Sequence, residues 1–166
     1  TMLGGAVASV LVTERLKGDI SLDKNKFDNH IIIAGWNHFI KPTLKIIDEN
    51  NHSKINVILI NETNPDIIKR STSGFVNLDI IHLNENPTQD SVLKKAFIEN
   101  CSIFMVMPDY SGLLPNEQPD EDKTVLSAFT AKSISEDIRV IAHIFNSEYE
   151  PHLQRANVNE IVFIDP

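Results

Sequence analysis

Six short apolar runs, each separated from the next by chain enough for one helix, constrain this sequence more than any other feature. They are His30–Ala34, Ile55–Ile60, Leu78–Leu83, Ser102–Met107, Ile138–Phe145 and Glu160–Ile164. In most of them Ile, Val and Leu stand at successive rather than alternate positions. Continuous β-branched runs of this length suit strands covered on both faces. The intervening segments carry helical signals. Phe39, Leu44 and Ile47 repeat at helical spacing in 39–50, with Pro42 tolerated in the first turn. Asn64-Pro65 opens a helix that reaches about Thr72. Val92, Leu93, Ala96 and Phe97 share one face of 88–99, and further helices are expected over Lys123–Ile134 and 147–156.

A helix between two strands prevents a hairpin and requires a crossover, which makes the strands parallel. The expected fold class is therefore α/β: a Rossmann-type, doubly wound, six-stranded parallel sheet with helices on both faces, in the order 3-2-1-4-5-6. Such sheets bind ligands beyond the carboxyl ends of their strands.

The turn after the first strand reads Gly35-Trp-Asn37-His-Phe-Ile40. A dinucleotide site wants three glycines there, so that the backbone approaches a pyrophosphate at the helix N-terminus. Gly35 is the first of them. Asn37 stands in the second place, where its tolerance of left-handed backbone would still support a turn. Ile40 stands in the third, where it either pushes the helix off the strand or packs beneath it. The second strand ends Ile60-Asn61-Glu62, with Asn61 where an acid would bind ribose hydroxyls and Glu62 one residue later. The crevice candidates are thus Gly35, Trp36, Asn37, His38, Asn61, Glu62 and Asp109, with NAD, ADP or AMP as the nucleotide they would hold.

Residues 108–122 hold three prolines and five acids, a long solvated loop in which Asp109, Glu117, Asp120, Glu121 and Asp122 are candidate ligands for a divalent cation such as calcium. They do not follow the EF-hand spacing. The six histidines, His38 and His82 among them, form no close pair, and Cys101 has no second cysteine to bridge, so neither a transition-metal site nor an intrachain disulfide is expected. There is no Gly-x-Ser-x-Gly elbow and no Gly-Lys-Ser/Thr phosphate loop, and no catalytic residue is assigned. The net charge of −8 argues against nucleic acid as a main partner. The 166 residues and 42% apolar content suit one compact domain.

Ahead of the first strand, Met2–Val12 is apolar and rich in small residues, then meets Glu14, Arg15 and Lys17. It is too short to cross a bilayer alone and reads either as an amphipathic or disordered leader or as the end of a membrane helix over 1–17. Residues 18–29 are polar and turn-rich and read as a linker.

The run His30-Ile-Ile-Ile-Ala-Gly-Trp-Asn37 resembles the opening strand and turn of RCK domains, the regulators of potassium conductance also called TrkA-N. Val57-Ile-Leu-Ile-Asn-Glu62 looks like their second strand, Leu93–Met107 like their Leu-x-x-Ala helix and fourth strand, and Ile138–His143 through Ile161–Ile164 like the fifth and sixth strands. The proline-rich acidic loop is similar to that of large-conductance calcium-activated channels, and Val12-Thr-Glu-Arg-Leu16 to the end of a pore helix. The resemblance implies a non-enzymatic, ligand-sensing domain at the cytoplasmic face of the membrane, spanning 30–166, with residues 1–17 as pore-helix remnant and a C-terminal lobe lying beyond Pro166. It implies partners too: a second copy of the domain, a ring of eight in the channel, and the channel's own pore. A regulatory domain of a potassium transporter or antiporter, and a fragment of an NAD-dependent enzyme, stand as alternatives.

Overall fold

The computed structural model describes residues 22–165. Six strands form one parallel sheet: β1 (Ile31–Ala34), β2 (Ile55–Ile60), β3 (Leu78–Leu83), β4 (Ile103–Val106), β5 (Val140–Ile144) and β6 (Glu160–Phe163). Their spatial order is β3-β2-β1-β4-β5-β6, as the alternation of elements requires. All five pairings are parallel. β1 lies at the centre, with Ile31 opposite both Val57 and Ile103 and Ala34 opposite both Ile60 and Val106. All four of its residues are buried, which explains why the run does not alternate.

The helices are α1 (Ile40–Glu49), α2 (Pro65–Ser71), α3 (Asp90–Lys95), α4 (Asp122–Ile134) and α5 (Glu150–Arg155). Ile40, Leu44 and Ile68 from α1 and α2 pack with Ile31, Ile33, Val57 and Leu59 on one face. Val92, Leu93, Ala128, Ala131 and Leu153 from the other three helices pack with Ile32, Ile58, Phe104 and Val140 on the opposite face. β1 and β4 are neighbours whose following segments leave to opposite faces, so a crevice opens between their carboxyl ends.

Three segments differ from the sequence-based expectation. The helix expected over 88–99 stops at Lys95: Phe97 is left-handed (φ 53) and a short 3-10 turn runs over Ile98–Asn100. Phe97 thereby stacks on Phe27, their ring centroids 6.1 Å apart. The helix expected over 147–156 begins as a 3-10 turn, Ser147–Tyr149, before regular α-helix starts at Glu150 with Pro151 in its first turn. Within 18–29, read as linker, the part from Leu22 onward is docked. Phe27 is fully buried, Lys26 O accepts from the Asn56 amide, and Asn29 N–H donates to Asn100 O. Leu22, partly buried, packs against the same core and helps fasten an otherwise polar segment. The apolar stretch 1–17 lies outside the described residues. Among those described, no helix is long and apolar enough to cross a membrane.

Candidate functional site

The crevice is built from the β1–α1 turn, the end of β2, and the loop from β4 to α4. Gly35 sits at φ +101, and a Cβ there would lie 2.4 Å from Met107 O, so only glycine lets the turn pass the end of β4 this closely. Gly35 N–H donates to Ile60 O at 2.9 Å, which ties the turn to β2. Asn37 does not take the left-handed conformation foreseen for it. It works through its side chain: Oδ1 accepts from Phe39 N–H at 2.8 Å, and Nδ2 donates to Pro108 O at 2.8 Å. Ile40, in the third glycine's place, is fully buried and packs beneath the turn.

Asp109 is the hinge of the site. Its Oδ1 accepts from Trp36 N–H at 3.1 Å and from Ser111 N–H at 2.9 Å, and its Oδ2 pairs with Lys123 Nζ at 2.7 Å. The side chain is 4% exposed, so this charge rests almost wholly on internal partners. Tyr110 N–H donates to Trp36 O at 2.8 Å and closes the loop onto the turn. Between Gly35, Met107, Asp109 and Lys123 no space remains even for a water molecule.

Asn61, at the usual ribose-binding place, is fully buried. Its Oδ1 accepts from Thr63 N–H, and both Oδ1 and the main-chain oxygen lie 3.0 Å from Nε2 of His82. Two oxygens around one ring nitrogen place the proton on Nε2. Burial lowers the His82 pKa to about 4, so the ring stays neutral. Glu62 is exposed and has no hydrogen bond or ion pair among the described residues.

Beside the turn lies an open cavity of 390 Å³ lined by Trp36, Asn37, His38, Lys41, Ser71 and Tyr110. The cavity thus gathers three of the seven crevice candidates. Lys41, Ser71 and Tyr110 carried no signal in the sequence, because nothing in their spacing marks them as neighbours of the turn. Phe145, near both Tyr110 and Phe39, extends the aromatic rim and was equally invisible.

The five acids proposed for a cation do not converge. Asp109 is committed to Trp36 and Lys123. Glu121 is buried and caps the end of β5, with Oε1 accepting from Phe145 N–H at 2.6 Å and Oε2 from Asn146 N–H at 3.2 Å. Asp120 accepts from Asp122 N–H and Glu117 from Leu114 N–H. Glu117, Asp120 and Asp122 are exposed. Among the described residues no three His, Cys, Asp or Glu side chains gather as a ready metal site. Side chains of the chain itself occupy two of the turn amides that a dinucleotide's pyrophosphate would use, those of Trp36 and Phe39.

The TrkA-N domain model matches residues 31–164. The calcium-gated potassium channel TvoK of Thermoplasma volcanium is 25% identical over 162 residues, which are 98% of this chain and 44% of that one. The chain therefore spans less than half the length of this relative. Among solved structures, the GsuK RCK domain superposes with a TM-score of 0.64 at 14% identity, covering 86% of this chain and 27% of that one. The TrkA-N domain of the Escherichia coli inner membrane protein ybaL gives 0.59 at 14% identity, covering 82% and 88%. The Shewanella denitrificans Kef C-terminal domain, in its AMP-bound form, gives 0.57 at 12% identity, covering 82% and 71%. With its central strand, crevice and six-strand order all inside the matched span, the chain belongs to the TrkA-N domain family.

Proposed function

We propose that this chain is a non-catalytic, ligand-responsive domain that regulates a potassium channel from the cytoplasmic face of the membrane. The observation that carries this reading is the reach of the similarity to TvoK. It runs over 98% of the chain, whereas the family model spans 31–164, so the likeness includes the segment that leads into the sheet. A regulatory domain of a transporter or antiporter would share the sheet; the leader favours the channel. Copies of the domain pair and, in the whole channel, assemble into a ring of eight. A ligand that binds one arrangement of the ring better than another shifts the pore. Coupling of roughly 1–3 kcal/mol per site, summed over subunits, suffices.

The effector is a divalent cation. The name of TvoK as a calcium-gated channel supports this, as do the exposed acids Glu117, Asp120 and Asp122 near the start of α4. In this reading a partner copy supplies the ligands that one domain lacks. A second reading is favoured by the 390 Å³ cavity: an adenine mononucleotide, its base against Trp36 and Tyr110 and its phosphate toward Lys41. The ADP-bound GsuK and AMP-bound Kef structures support that alternative.

A thermal-shift screen of the chain against calcium, magnesium, zinc, AMP, ADP, ATP, NAD and NADH tests both. A ligand at about 100 times its Kd raises stability by about 2.7 kcal/mol, which is easily resolved. Calcium is expected to stabilise, and AMP or ADP is expected to do so under the second reading. Sub-micromolar NAD binding accompanied by substrate turnover would sink both.

A further inference from the structure

We infer that Asn37 and Asp109 fill the phosphate seat of the crevice from within, and so decide which ligands it accepts. A pyrophosphate at this place in the fold needs free amides in the turn after the first strand and at the start of the helix. Here Trp36 N–H is bonded to Asp109 Oδ1, Phe39 N–H to Asn37 Oδ1, and Ile40 N–H to the Asn37 carbonyl at 3.2 Å. Lys123, the cation that faces Asp109, is bonded to its Oδ2. The Asp109 carboxylate thus presents to Trp36 N–H and Lys123 the negative charge that a phosphate would bring.

The seat is also braced mechanically. Pro108 O accepts from Asn37 Nδ2 and Trp36 O accepts from Tyr110 N–H, which clamp the loop onto the turn, and the gap behind it, between Gly35, Met107 and Asp109, admits no water. A phosphate on the turn would have to displace a buried carboxylate from an amide and a lysine, or share them with it. A phosphate and a carboxylate only 4% exposed repel strongly at this distance, so it does neither. Asn37 and Asp109 are therefore specificity-determining: they reject ligands that seat a pyrophosphate on the turn, and leave the neighbouring cavity to ligands that place no phosphate there. This holds whether or not the domain serves a channel.

Calorimetry on the 166-residue chain with inorganic pyrophosphate and with ADP tests the inference. The unsubstituted chain is expected to bind pyrophosphate no better than millimolar. Asp109→Ala, and more so Asn37→Gly with Asp109→Ala, is expected to tighten pyrophosphate and ADP alike by at least about tenfold. Adding Lys123→Met is expected to remove that gain. Folded variants with no gain would overturn the inference. So would a gain for ADP alone, which would place the barrier outside the phosphate seat. A measurement on the unsubstituted chain covers the case of variants that do not fold. Its Trp36 and Phe39 amide resonances are expected to stay in place in millimolar pyrophosphate, and saturable movement of either would equally overturn the inference.

Discussion

At the scale of single residues, the crevice is governed by a few side chains with no freedom to change. Gly35 combines φ +101 with a phantom Cβ 2.4 Å from a backbone oxygen that cannot retreat. Gly35→Ala is expected to cost at least about 2 kcal/mol, read by chemical denaturation. His82 makes a second prediction. Its pKa is 6.5 in the unfolded chain and about 4 in the folded one, because burial disfavours the charged ring. The unfolded chain therefore binds a proton first as pH falls. Stability is full above pH 6.5 and declines toward pH 4, by as much as about 3 kcal/mol from this residue. His30 and His143 are also lowered by burial and add to the same slope. His82→Gln, which keeps a donor for Asn61, is expected to flatten the His82 share of the decline in a pH series of melts. Cys101 is inert in this range, since burial pushes its thiol up to about 12.

At the scale of elements, the segment before β1 is the least expected feature. Its composition is that of a linker, yet Phe27 inserts between Phe97 and His30 at the amino-terminal end of the sheet. Phe27→Ala is expected to cost about 3 kcal/mol and to raise hydrogen exchange at the Asn29 amide, which now donates to Asn100 O. If exchange at Asn29 stays unchanged, the segment is held by something other than this ring. In the proposed regulatory role, any pull from the domain enters the preceding chain at this anchor. α4 shows how packing sorts an element that its composition leaves ambiguous. Its buried side chains are small, Thr124, Ser127, Ala128 and Ala131, and they bring the helix close to the sheet. Leu126 and Phe129 face outward at 53% and 42% exposure.

At the scale of the whole molecule, those exposed side chains bear on assembly. They lie on the face of α4 turned away from the sheet, and Phe129 also borders a 570 Å³ depression with Lys132, Glu136 and Arg155. Self-association through this face fits the proposed pairing. Leu126→Glu is expected to leave the melting temperature nearly unchanged, as an exposed substitution does, and to weaken self-association by sedimentation. An unaltered association constant would move the interface elsewhere.

The strand order, the two covered faces and the place of the crevice were legible from the spacing of six apolar runs, because buried parallel strands and single-helix crossovers leave few topologies. Gly35, Asn37 and Asn61 were legible as departures from a three-glycine turn and a terminal acid. What those departures do was decided by tertiary structure. Asn37 turned out to cap by its side chain, Asn61 to lock onto His82, and Asp109 to close the turn 73 residues before it in sequence. Local pattern determines which segments are strands and helices. Which polar groups satisfy one another depends on through-space neighbours that only the folded chain brings within hydrogen-bond range, and there the acids of one loop were divided between internal clamps and solvent.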